Sequence, residues 1–290
     1  MNDMQTKADA QTGAESDGTK PQFLAGPDGQ HRGVLLIHGF TGSPFELHLL
    51  ARHVHAAGYH CALPLLAGHH DSLSTLSATR WPDWLASAED ALHALHRQIA
   101  ATTDQAPRIA VVGLSMGGLL ALDLARRYPP PLAAGTSTSG RPEIVALCTL
   151  ATPLFLHARN QQAIRRLARL PGLRRLAVPK LFGGDIREAV RPRLPLKPLG
   201  MPIVCLDSLL DLMTHVRAGL SEVRQPALLM HGIHDHTVPY ACLAELARSL
   251  GTAATQLRTC ALPQSYHLLP LDLERQTVFA EVTAHLERYL

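Results

Sequence analysis

The stretch that decides the fold is IAVVGLSMGGLLAL, residues 109–122. A continuous apolar run reaches Gly113, and a leucine-rich run with helical spacing starts just past Ser115. Between them Gly113, Leu114, Ser115, Met116 and Gly117 spell G-x-S-x-G. A strand that passes at once into a helix must bend hard, and small flanking residues allow the bend to lift Ser115 out of the sheet edge. The serine then stands at a helix N-terminus, where free N–H groups favour negative charge developing nearby. Two roles fit it, an N-cap or an exposed nucleophile. Strand, elbow and helix together favour the nucleophile.

Outward from this elbow, short apolar runs alternate with longer amphipathic ones. GVLLIHG (33–39), YHCALP (59–64), RIAVVG (108–113), EIVALCTLA (143–151), ALLMHG (227–232) and QLRTCAL (256–262) read as strands. Helical periodicity covers 44–58, 81–99, 115–129, 241–251 and the last 17 residues, where Val278, Phe279, Val282 and Leu286 share a face. Such alternation predicts an α/β fold, a mostly parallel central sheet with helices on both faces. The alternation breaks between 157 and 224, which hold 13 Lys/Arg against 5 Asp/Glu, although the whole chain carries only +3. Here lie the arginine-rich NQQAIRRLARLPGLRRL, the proline-rich RPRLPLKPLGMP and the helical run CLDSLLDLMTHVRAGL. Residues 30–156 and 225–290 are therefore expected to form the core, with 157–224 inserted beyond the carboxyl ends of the strands, where open α/β sheets bind ligands.

A serine hydroxyl needs a base beside it, most often histidine. In a strand–elbow–helix architecture the acid and then the histidine follow the serine, each on a loop after a strand. Of the chain's 17 histidines, His285 lies inside the last helix and His236 within the acid loop, whereas His267 follows a strand across a short loop. Asp123 falls in the helix after the elbow, and Asp185, Asp207 and Asp211 fall in the inserted segment. Only Asp235 sits just past a strand end, placed to orient an imidazole. Donors for an oxyanion are expected at the backbone N–H groups of Met116 and of Phe40, in LIHGFTGSP. His38 and His231, each before a glycine at a strand end, are expected to make structural hydrogen bonds.

His231, His234, Asp235 and His236 crowd into six positions and resemble metal ligands. Their spacing is H-x-x-H-D-H, unlike the H-x-H-x-D-H of the metallo-β-lactamase type, and GHHD (68–71) adds no defined centre. No metal and no cofactor is expected. The charge of +3 is too small to point to nucleic acid. Five scattered cysteines read as buried hydrophobes in a reducing compartment. The polar first twenty residues read as a disordered tail within a lead-in spanning 1–29, without a secretory pattern. A cytoplasmic location is the expectation.

On LLIHGFTGSP, AVVGLSMGGLLAL, HGIHDHTVP and SYHLLPLD the chain resembles the α/β-hydrolase fold, and within it small bacterial carboxylesterases and monoacylglycerol lipases. The resemblance runs from about residue 30 to the end and is weakest in the insert. It implies a triad of Ser115, Asp235 and His267, an oxyanion hole at Phe40 and Met116, and a helical cap over an acyl-binding tunnel. It also implies hydrolysis of short- to medium-chain acyl esters or monoacylglycerols through an acyl-enzyme. A thioesterase, an amidase and a non-hydrolytic binding protein of the same fold are the alternatives. The chain departs from the family at Gly68, His69 and His70, where a G-H-G-like stretch is common, and in its arginine- and proline-rich cap. Ile164 and Leu167, and Leu206, Leu209, Leu210 and Met213, share helical faces fit either to line an acyl slot or to glue the cap down. The cap's arginines suit a solvated face or weak contact with an anionic membrane surface.

Overall fold

A computed structural model describes residues 18–130, 140–170, 172–173, 176–179, 185–187 and 200–290. The first 17 residues of the expected tail, and most of the proline-rich stretch, lie outside the described residues.

The expected strands form β2 (Arg32–Ile37), β3 (His60–Leu63), β4 (Arg108–Leu114), β5 (Ile144–Leu150), β8 (Ala227–Gly232) and β9 (Leu257–Leu262). With β1 (Gln22–Leu24) they build a seven-stranded sheet in the order β1-β3-β2-β4-β5-β8-β9. All its pairings are parallel except that of β1 with β3. Each crossover between parallel strands needs a long connection, which α1 (His48–Ala56), α3 (Trp81–Ala100), α4 (Met116–Arg127) and α7 (Ala241–Ser249) supply for all but the step from β5 to β8.

Alternate strand side chains feed two cores. Leu35, Ile37, Ile109, Val111, Leu147 and Leu229 join Trp84 and Leu92 of α3 and Leu120 and Leu124 of α4. On the opposite face, Val34, Leu36, Ala110, Val112, Cys148 and Leu228 join Leu50 and Val54 of α1 and Val278 and Val282 of α8 (Arg275–Tyr289). Strands buried on both sides explain the unbroken apolar runs seen in the sequence. Trp84 is fully buried, and truncating it to alanine is expected to cost about 3–5 kcal/mol.

Between β5 and β8 the chain forms α5 (Ala158–Ala168), a two-stranded ribbon of β6 (Ala177–Val178) with β7 (Met201–Pro202), and α6 (Ile203–Gly219). Leu209, Leu210 and Met213 of α6 are buried in the same core as α3 and α4, so they glue this helix down. Polar contacts pin it as well. Ser208 Oγ accepts the Trp81 N–H at 2.9 Å, and Asp123 of α4 faces His215 at 3.0 Å. Arg165 of α5 grips Asp207 and Asp211 at 2.6 and 2.8 Å, while Arg159, Arg166 and Arg169 are exposed. No helix among the described residues is long and apolar enough to cross a membrane.

Candidate active site

The elbow has the strained geometry that its sequence demands. Ser115 sits at φ 54°, ψ −120°, a conformation that non-glycine residues adopt only when their surroundings enforce it. The glycines beside it are needed for close approach. A Cβ on Gly113 would collide with the Gly117 carbonyl, and one on Gly117 would collide with the carbonyl of Ile37 in β2. Ser115 stands at the N-cap position of α4 but its side chain makes no capping bond, which removes the N-cap role. Met116, the first residue of α4, has an N–H without an intrahelical acceptor.

Across the strand ends, Ser115 N–H donates to Leu150 O at 2.7 Å, Ala151 N–H to Met230 O at 2.8 Å, and Ile233 N–H to Leu262 O at 3.0 Å. The carboxyl ends of β4, β5, β8 and β9 thus lie side by side, and the loops carrying Ser115, Asp235 and His267 leave from one edge.

The loop after β2 backs onto the serine, since a Cβ on Gly39 would stand 3.3 Å from Ser115 Cβ. The buried Glu46 carboxylate accepts the Gly39 N–H at 3.0 Å. Among the described residues the next amide, Phe40 N–H, donates to no acceptor. His38 Nε2 accepts the Leu66 N–H at 3.1 Å, which places the ring proton on Nδ1, donated to Gly39 O at 2.9 Å. Burial, reinforced by His69, pushes the His38 pKa down to about 3, so the ring is neutral. The structural role expected of His38 is what these bonds describe. Phe40 packs on Trp84 and His69, with ring centroids 5.5 and 6.0 Å apart.

Asp235 is served from every side. Its Oδ1 accepts Thr237 N–H and Val238 N–H, both at 2.8 Å, and its Oδ2 lies 2.7 Å from His267 Nδ1 and 3.2 Å from His231 Nε2. Burial disfavours the charge, but His267 and His231 outweigh it and hold the carboxyl well below the usual carboxylate range. An ionised Asp235 takes the Nδ1 proton of His267 as its donor, leaving the Nε2 lone pair for a substrate-side proton. Gly232 makes the close fit between the two loops, since a Cβ there would overlap the Tyr266 carbonyl.

The three imidazoles around Asp235 diverge. His231 points inward to the carboxylate, His234 is exposed, and His236 Nδ1 bonds Asp185 at 2.9 Å. Among the described residues no group of three or more His, Cys, Asp or Glu is arranged to hold a metal ion. The other aspartates that follow Ser115 in the chain before His267 lie elsewhere or do other work. Asp123 pairs with Arg126 and His215, Asp207 and Asp211 pair with Arg165, and Asp185 is buried against the acid loop. His285 is buried in α8 beside Pro226 O at 3.3 Å. Sequence reasoning missed Glu46 and Asp185. Glu46 sits seven residues after Gly39, in a turn whose only local signal is its proline. Asp185 reaches its partners across 51 residues or more, which no spacing rule encodes.

The sequence profile of the Alpha/beta hydrolase family matches residues 34–282. A thermostable monoacylglycerol lipase of Bacillus sp. (strain H-257) is 30% identical over 85% of this chain and 86% of its own length. A carboxylesterase of Bacillus subtilis (strain 168) is 26% identical over 93% of this chain and 96% of its own. Among solved structures, that described for LipS and LipT, two metagenome-derived lipolytic enzymes, superposes with a TM-score of 0.77 at 26% identity, covering 94% of this chain and 98% of that one. With the seven-stranded sheet, the strained elbow and a profile match over most of its length, the chain belongs to the alpha/beta hydrolase family.

Proposed function

We propose that the protein is a serine esterase that cleaves short- to medium-chain acyl esters or monoacylglycerols through an acyl-enzyme. The observation that carries this is the 2.7 Å contact between His267 Nδ1 and the buried Asp235 carboxylate, on loops that leave the same sheet edge as the Ser115 elbow. Ser115 Oγ attacks the ester carbonyl while His267 Nε2 takes its proton. The carbonyl oxygen becomes an anion, for which the N–H groups of Phe40 and Met116 are the donors. Collapse breaks the C–O bond, and His267 returns the proton to the departing alcohol. Water, deprotonated by His267, attacks the acyl-enzyme, and the carboxylic acid leaves with Ser115 restored. Asp235 remains ionised and stabilises the imidazolium in both half-reactions.

Support for the substrate class comes from the relatives, a monoacylglycerol lipase and a carboxylesterase that each align over more than four-fifths of this chain. The test is a hydrolysis profile across p-nitrophenyl esters of graded acyl length and across monoacylglycerols, with fluorophosphonate labelling of the serine. Turnover of short- and medium-chain esters with labelling confined to Ser115 is expected. Labelling without turnover of any ester would point to the thioesterase or amidase alternatives, and absence of both to a binding protein.

A further inference from the structure

Three residues from the segment between β5 and β8 run against the acid and histidine loops. Asp185 is 5% exposed and carries most of the contacts. Its carboxylate accepts His236 N–H at 2.8 Å and Thr237 Oγ1–H at 3.2 Å, and faces His236 Nδ1 at 2.9 Å. Its backbone carbonyl accepts His267 N–H at 3.0 Å and Leu268 N–H at 3.1 Å. One residue thus binds the loop of Asp235 with its side chain and the loop of His267 with its main chain.

The neighbours of Asp185 fasten it in place. Ile186 is buried in the cluster that contains Met230 and Leu268. Arg187 donates from its backbone to Asp272 Oδ1 at 3.4 Å and from Nε to Gln264 O at 2.8 Å, with its guanidinium 4.7 Å from the Tyr266 ring centre. Asp272 Oδ2 in turn accepts Tyr266 N–H at 2.7 Å, immediately before His267. Burying a carboxylate is expensive unless donors replace its water, and among the described residues the groups that face the Asp185 carboxylate, one backbone N–H and two side chains, belong to the two residues that follow Asp235.

We propose that Asp185 is a positioning residue for ester hydrolysis, clamping the Asp235 loop to the His267 loop so that their hydrogen bond keeps one geometry through both half-reactions. The proposal rests on the assignment of Asp235 and His267 as acid and base. Asp185 touches neither substrate nor reacting atoms and acts through those two residues. Asp185, Ile186 and Arg187 thereby tie the connection between β5 and β8 to the catalytic pair.

The test compares the full-length chain with its D185A and D185N variants in p-nitrophenyl butyrate hydrolysis. Their low-field imidazole N–H proton is followed by NMR and assigned to His267 by its loss in H267Q. Asparagine keeps an acceptor for His236 N–H and Thr237 Oγ1–H, whereas alanine removes every side-chain bond. D185A is expected to lower kcat about ten- to a hundredfold, the scale of a small misplacement, and to shift or broaden the N–H signal. KM should stay within about twofold and D185N within about threefold of the parent kcat. If D185A is too unstable to purify, H236A/T237V strips the side-chain donors from the exposed side, and a smaller kcat loss with unchanged KM is expected. Parent-like kcat with an unmoved signal in D185A, or in H236A/T237V where that variant replaces it, overturns the proposal. So does D185N falling as far as D185A, or a loss confined to KM. Retained turnover in S115A would instead sink the assignment of the triad, and the N–H signal would still report whether Asp185 fixes the Asp235–His267 bond.

Discussion

One oxygen of Asp235 faces two imidazoles, His267 Nδ1 at 2.7 Å and His231 Nε2 at 3.2 Å, while the other takes two backbone N–H groups. The carboxylate is therefore held in a fixed plane before any substrate arrives, and His267 is held with it. Preorganised charge of this kind costs no reorganisation at the moment of reaction.

Ser115→Ala is expected to lower kcat about ten-thousandfold or more, because removing the proposed nucleophile leaves only binding and oxyanion stabilisation. Since Ser115 makes no capping bond to α4, unfolding free energy should stay within about 0.5 kcal/mol of the parent. Steady-state kinetics beside a urea titration measure both. Undiminished turnover would falsify the mechanism.

Asp235→Asn is expected to drop kcat about ten-thousandfold by allowing the wrong tautomer of His267. The folded-state pKa of Asp235 is depressed, so its charge stabilises the fold fully above the unfolded value of about 4, and this is lost as pH falls toward the folded value. The stability gap between parent and D235N should therefore narrow below about pH 4. Denaturation midpoints across pH 2–6 test this, and a gap constant with pH would contradict it.

His285 contributes acid sensitivity in a different window. Burial pushes its pKa down to about 4, so the folded state binds the neutral ring. Its stabilisation is complete above the unfolded value of about 6.5 and is lost as pH falls through the interval to about 4. H285Q should flatten the pH dependence of stability between those limits. An identical slope in parent and variant counts against the assignment.

Gly117→Ala is expected to destabilise the fold by about 2 kcal/mol or more, because the added Cβ meets the backbone of Ile37 and no flexible side chain can yield. Activity should fall with it, since relief of the clash moves Ser115 relative to the loop of Phe40. A variant with parent-like Tm and kcat would show that the elbow tolerates a wider backbone.

The elements that the sequence made legible are those with enough residues to show a period. The run from Ile109 to Leu122 is apolar on both sides of its bend, its strand half feeding both cores and its helical half packing into one. The sequence picks out Asp235 and His267 because each lies just beyond a strand of six residues, and the structure brings the two together at 2.7 Å. By contrast, β1 has three residues and α2 (Leu73–Ser77) five, too few for alternation or helical spacing to register. Asp185 falls in the inserted segment, and its contacts lie 51 and 82 positions away. Long-range pairing of that kind follows from the fold and has no local pattern.

The hydrogen bonds that link Ser115 to Leu150, Ala151 to Met230 and Ile233 to Leu262 make the chain unequal in its tolerance of added length. A residue inserted within β4, β8 or β9 would exchange the two faces of that strand and push its loop along by about 3.3 Å, out of reach of its partners. A residue added in the exposed turn at 253–256, between α7 and β9, displaces none of the three loops. Lengthening of this enzyme is therefore confined to the far edge of the sheet and to the connections that carry none of the three proposed reacting groups.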